Sequence, residues 1–245
     1  MNRYIAILIA ALTSAEMQAF QLAPRLVVNI TIDQLRSDYI EAFSPLFSQD
    51  GFRKLMQEGK VYETASYPFK SVTEPSAIAT IATGATPYYH GIVSPQWLDR
   101  NTLRQIYCVD DNRYGASPAN LKTSTVSDEM KISSAGSSIV YSIAEDKSSA
   151  ILSAGHAADN AIWFDGTRRK WQTSPYYGAS PKWLNTGIFS HDISNDDIAT
   201  KAGEIVSKTS MGTDNITDML SITLSATSSD NAVGNWQNRM QSVYT

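Results

Sequence analysis

The run Leu26–Ile32 (LVVNITI) is β-branched and mostly apolar, without strict alternation. That pattern predicts a strand buried on both faces, as parallel sheets require. Asp33 follows, and Gln34–Phe43 reads as a short helix. Gly51–Glu58 predicts a second helix, with Phe52, Leu55 and Met56 at helical spacing and Gly59 as its stop. Val61–Ser66 reads as a short strand. In Ser71–Gly84 (SVTEPSAIATIATG), Pro75 suits a first helical turn and Thr73 or Glu74 can cap it. Ala77–Ala82 continues as a helix of small residues. Val126–Met130 opens a further helix. Ser138–Ile143, Ala150–Gly155, Ala161–Phe164 and Met219–Leu224 read as strands, and Asp197–Lys208 as a helix. Asp165-Gly166 marks a tight turn. Asn101–Asn120 and Thr173–Asn195 are rich in turn formers and aromatics and read as surface insertions or lid loops.

Strands alternating with helices predict an α/β fold: a three-layer α/β/α sandwich with a mainly parallel sheet. The 245 residues suffice for a large core, and 42% hydrophobic with 18% charged residues excludes a disordered tail or a coiled coil. A net charge of −4 argues against nucleic-acid binding, which needs a basic excess. A single cysteine, Cys108, excludes a disulfide framework and a cysteine-rich metal site.

The two ends carry their own signals. Met1–Phe20 has Arg3, the apolar run Ile5–Leu12 and small residues after it. It reads as a secretory signal, with cleavage after Ala15 or Ala19. The division expected is residues 1–19 as signal and 20–245 as the folded domain, outside the cytoplasm and with no membrane span after cleavage. At the other end, Asn235–Thr245 has a helical pattern, with Trp236, Met240 and Val243 on one face. The sequence stops inside that pattern, so the domain reads as incomplete on its C-terminal side.

Two places invite chemistry. In open α/β sheets, ligands gather at the carboxyl ends of strands. Asp33 stands there, suited to a hard cation or zinc and equally to a helix N-cap. The Thr73/Glu74 corner puts a hydroxyl and a carboxyl at a helix amine end, where backbone N–H groups favour phosphate. Capping accounts for these residues as well.

Together, the motifs Thr31–Tyr39 (TIDQLRSDY), Thr83–Pro87 (TGATP) and His90-Gly91-Ile92 resemble the alkaline phosphatase superfamily, in its branch of bacterial type I phosphodiesterase/nucleotide pyrophosphatase-like phosphatases. Trp97-Leu98-Asp99, Ala150–His156, Trp163–Gly166 and Trp171–Tyr177 extend the resemblance over most of Arg25–Thr245. It implies hydrolysis of small phosphate mono- or diesters by two metal ions, usually zinc, about 4 Å apart. It implies a Thr or Ser nucleophile on a helix amine end and a first metal ligand at Asp33.

The chain departs from the family pattern at several slots. The motif resembling T-x-P-x-H is here Thr73-Glu74-Pro75-Ser76-Ala77, without the His. Aligned on Pro75, the nucleophile is Thr73; aligned on Thr83-Gly84, the slot holds Glu74. A phosphate-binding Asn falls on Pro95, which has no donor. A Lys-x-Arg clamp falls on Asp146 and Ser148, with Lys147 between them. Among later metal ligands, Asp230 matches and the expected His does not. His90, His156 and His191 read as structural rather than as ligands. The expectation is therefore impaired hydrolysis, with a catalytically inactive binding or scaffold protein as the alternative.

Overall fold

A computed structural model describes residues 23–185 and 188–226. Met1–Phe20, Asp230 and Asn235–Thr245 lie outside the described residues. Nine strands fall in the described chain: β1 (Leu26–Asp33), β2 (Gln96–Leu98), β3 (Gln105–Tyr107), β4 (Asp110–Asp111), β5 (Gly115–Ala116), β6 (Val140–Ala144), β7 (Asn160–Asp165), β8 (Lys170–Thr173) and β9 (Asp218–Ser225). The helices are α1 (Ser37–Phe43), α2 (Phe52–Glu58), α3 (Glu74–Thr83), α4 (Pro87–His90), α5 (Val126–Ser133), α6 (Lys147–Ala154) and α7 (Asn195–Thr209).

The main sheet has the order β1-β9-β6-β7-β8. The first three pairings are parallel and β7–β8 is antiparallel. Asp165 makes that last hairpin by accepting the N–H groups of Thr167 and Arg168, each at 3.0 Å. On one face, Ile78, Ala79, Ile151 and Leu152 from α3 and α6 pack on Val140, Ala144 and Met219. On the other, Ile198, Ala202 and Ile205 of α7 pack on Ile143, Ile162 and Leu220. The sandwich therefore has the three layers that alternation of strands and helices predicts.

Two expected strands are absent from the sheet. Ala150–Gly155 lies within helix α6 and its stop. The side chain of Asp146 caps the helix by accepting the Ser149 N–H at 3.0 Å, and Gly155 ends it at φ 78°. A crossover between parallel β6 and β7 needs a helix here, and every residue from Ser148 to Ala154 is buried. A short apolar run has no periodicity of its own to separate the two forms. Val61–Ser66 forms no strand and is exposed, because no neighbour in the sheet pairs with it. The stretch Asn101–Asn120 is only partly loop: it contains β3 and the small β4–β5 hairpin.

One polar hub ties α5 to the turn between α6 and β7. The Asp128 carboxylate accepts N–H groups of Thr125 at 2.8 Å and of His156 and Ala157 at 2.7 Å each. The His156 ring lies 3.1 Å from it and reaches the Leu121 carbonyl at 3.0 Å. Burial opposes ionisation of Asp128, but these bonds outweigh it and hold the carboxyl below its ordinary range. A Cβ at Gly155 would collide with Thr125 Oγ1 and the Asp128 carboxylate, at a φ that already favours glycine. Cys108 is fully buried beside this face, and burial pushes its thiol up to about 12.

Asp128→Ala removes the acceptor of three N–H groups, that of buried Thr125 among them. It is expected to lower unfolding free energy by at least about 2 kcal/mol in a denaturant titration.

Candidate active site

A cleft of about 970 Å³ opens at the carboxyl ends of β1, β6, β7 and β9. Asp33 enters it as the last residue of β1, and Thr223–Ser225 line it from β9. Asp33 does not cap α1, whose N-cap is Arg36; its carboxylate accepts from the Gln34 side chain, at 3.2 Å. The amine ends of α3 and α6 close the opposite wall with Glu74, Asp146 and Lys147. Trp163 and Tyr114 add aromatic surface.

The α3 corner separates the two nucleophile candidates. Thr73 is the N-cap residue. Its N–H donates to Ser76 Oγ at 2.9 Å, its hydroxyl donates to the same oxygen at 3.1 Å, and Ser76 Oγ donates to its carbonyl at 2.8 Å. The Thr73 hydroxyl is thus engaged in the cap. Glu74, one residue on, lines the cleft, and Thr73 does not.

Glu74 is held in place from α6. Its Oε1 accepts the Ser149 hydroxyl at 2.8 Å. Burial raises its pKa from 4.5 to about 7, and the negative charge of Asp146 adds to the rise. Burial and Asp146 also raise Glu145, the neighbour on the same wall. Asp146 accepts the Ser148 hydroxyl, which in turn accepts from Tyr107 OH at 3.0 Å. Burial lifts that phenol to about 12.

Positive charge on the walls is slight. Lys147 Nζ lies 3.9 Å from Asp110 and 5.0 Å from the centre of the Tyr107 ring. Arg168 lies 3.3 Å from Asp165. The slots expected to bind phosphate oxygens hold Pro95, whose carbonyl accepts the Cys108 N–H at 2.8 Å, and the capping pair Asp146 and Ser148.

None of the histidines lines the cleft. His90 is buried, with Nε2 3.1 Å from Thr80 Oγ1 and Nδ1 accepting the Ile92 N–H at 3.1 Å. Burial lowers its pKa. His156 belongs to the Asp128 hub, and His191 lies 3.1 Å from Asp197. Among the described residues, no group of three or more His, Cys, Asp or Glu side chains is placed to hold a metal ion. Two zinc ions need several deprotonated donors, imidazole among them in such sites. The donor set that lines the cleft among the described residues is carboxylate only, so it does not fit that pair. The Ser149 link to Glu74 escapes sequence reading; its only trace is the serine run Ser148-Ser149 after a capping Asp.

Comparison with known proteins places this geometry in a lineage. The family model for type I phosphodiesterase / nucleotide pyrophosphatase matches residues 27–232. Alkaline phosphatase PhoV of Synechococcus elongatus is 33% identical over 173 residues, which is 66% of this chain and 32% of that protein. A Myroides odoratus protein named calcium-transporting ATPase is 34% identical over 172 residues, 66% of this chain and 31% of its own. The crystal structure of wild-type alkaline phosphatase PafA superposes with a TM-score of 0.70 at 22% identity, covering 82% of this chain and 52% of that one. The chain spans about a third of the length of these curated relatives and about half of the solved structure.

The raised Glu74 pKa has a definite sign. Between pH 4.5 and about 7 the unfolded chain loses this proton while the folded protein keeps it. Stability therefore falls as pH rises through that window and levels above it. Replacing Glu74→Gln is expected to flatten that limb in urea titrations repeated at several pH values.

Proposed function

The chain belongs to the type I phosphodiesterase / nucleotide pyrophosphatase family, and we propose that it is an exported relative of the phosphoester hydrolases whose own residues cleave phosphate esters weakly or not at all. The observation that carries this reading is the α3 amine end. There the carboxyl of Glu74 faces the cleft, while the hydroxyl of Thr73 is engaged with Ser76.

An alcohol in this position could attack phosphorus, with the backbone N–H groups of the helix end drawing negative charge toward it. A carboxyl at the same point does the reverse. Ionised, it repels a phosphoryl group; protonated, it is a poor nucleophile. Asp146, in a slot where the family resemblance places a cation, adds a second repulsion. Asp33 remains a sound single donor for a divalent metal, and a bound metal would supply charge neutralisation for a phosphate oxygen. Asp230 would be its counterpart from the later chain.

Export to the periplasm or outside the cell is supported by the Met1–Ala19 pattern. Among the described residues, no helix is long and apolar enough to cross a membrane. The acidic walls also favour the alternative of a catalytically silent binding protein over an efficient enzyme.

Purified protein with added zinc is expected to release no 4-nitrophenol above the buffer rate from 4-nitrophenyl phosphate or its bis-ester. Rapid release that disappears in both Asp33→Ala and Thr73→Ala would overturn the proposal.

A further inference from the structure

Each nitrogen of the His156 ring faces an oxygen. Nδ1 lies 3.1 Å from Asp128 Oδ2, and Nε2 lies 3.0 Å from the Leu121 carbonyl oxygen. A carbonyl oxygen can only accept. Asp128 Oδ2 already accepts the Thr125 N–H at 2.8 Å, and its hydrogen bonds keep the carboxyl ionised, so it also can only accept. Both ring nitrogens must therefore donate. An imidazole that donates twice carries two protons and a positive charge. A neutral ring would set its one lone pair against an oxygen lone pair.

His90 supplies the contrast within the same molecule. Its Nδ1 accepts the Ile92 N–H at 3.1 Å, so that nitrogen carries the lone pair, and Nε2 donates to Thr80 Oγ1 at 3.1 Å. The two rings are wired for opposite charge, His90 neutral and His156 cationic. The directions of their titration agree: burial lowers His90, and the bond to Asp128 raises His156 above 6.5.

The backbone of His156 is tied as well as its ring. Tyr176 OH donates to its carbonyl at 3.1 Å, and Tyr177 OH donates to the Gly155 carbonyl at 2.9 Å. The titratable groups facing this turn are thus Asp128 of α5 and the two phenols after β8, while the loop before α5 presents the Leu121 carbonyl. Burial raises both phenols, so they stay neutral while the ring titrates. Ser174 and Pro175, from the same segment as the phenols, line the cleft, and the Ser174 hydroxyl donates to the Ala116 carbonyl along that wall.

We propose that His156 is a charge latch: doubly protonated at neutral pH, it bridges α5 to the loop at Leu121, and its deprotonation in mild alkali frees that loop from the turn behind the cleft wall. The proton leaves Nε2 for solvent, because the negative Asp128 retains the one on Nδ1. The Leu121 carbonyl then faces a lone pair and loses its donor. The stability that the latch contributes is complete below 6.5, the value of an ordinary histidine, and is lost as pH climbs through the higher folded value. Every group of the latch lies between residues 121 and 177, and its test does not depend on ester cleavage.

Imidazole nitrogen NMR of the full chain at about pH 7 is expected to show His156 protonated on both nitrogens and His90 on Nε2 alone. The His156 signals are identified by their loss in His156→Gln. The Lys122 amide, which donates to the His90 carbonyl at 3.0 Å, reports on the loop. Its hydrogen exchange, corrected for the intrinsic effect of pH, is expected to accelerate as the His156 ring deprotonates. In His156→Gln, whose side-chain amide can donate to Leu121 at any pH, that acceleration is expected to disappear. A His156 ring that carries one proton at about pH 7 overturns the charge assignment. Lys122 protection that follows only the intrinsic pH effect overturns the latch. If His156→Gln fails to fold, the ring is identified in the unaltered protein by its proximity to Leu121, and the same two readouts decide.

Discussion

Helices α3 and α6 lie side by side on one face of the sheet, and their amine ends point into the same space. A helix end of this kind attracts negative charge through unpaired N–H groups. In this chain the attraction is satisfied from within. Asp146 caps α6, and Glu74, on the first turn of α3, hydrogen-bonds to Ser149 of α6. Burial, with the negative charge of Asp146 beside it, raises the Glu74 carboxyl to about 7. The character of the cleft follows from this arrangement. Its floor is the polar ends of β1 and β9, and its wall is an anion supplied by the protein itself.

Much of the scaffold was legible because its signals are long or redundant. The eight-residue strands β1 and β9 and the fifteen-residue helix α7 carry enough apolar positions to define their type. The Asp165 turn announces the β7–β8 hairpin. Ala150–Gly155 reads as a strand because six small and apolar residues contain little periodicity, and the deciding information lies in tertiary context: a crossover must join two parallel strands. The capping Asp146 and the terminating Gly155 were the local clues. Val61–Ser66 failed as a strand for the opposite reason, since its branched residues find no partner.

The site was legible in its position and less so in its wiring. Asp33, at a strand end, and Glu74 line one cleft, and Thr73 does not. Sequence spacing alone left Thr73 and Glu74 as rival occupants of one slot. Side-chain direction distinguishes their surroundings: a cap residue turns back on its own helix, and the next residue projects from the first turn. The serine of α6 that fixes Glu74 lies seventy-five positions away, beyond any local pattern. The histidines show a related economy. Each is engaged in a structural bond, so their presence in the composition gives no measure of metal-binding capacity.

The burial of Cys108 has a practical corollary. A thiol so far from ionisation and from solvent reacts with nothing while the molecule is folded. Only chains that have opened around it expose it. The rate at which a small maleimide or disulfide reagent consumes this one sulfur would therefore count opening events directly, giving the molecule an internal clock for its own kinetic persistence.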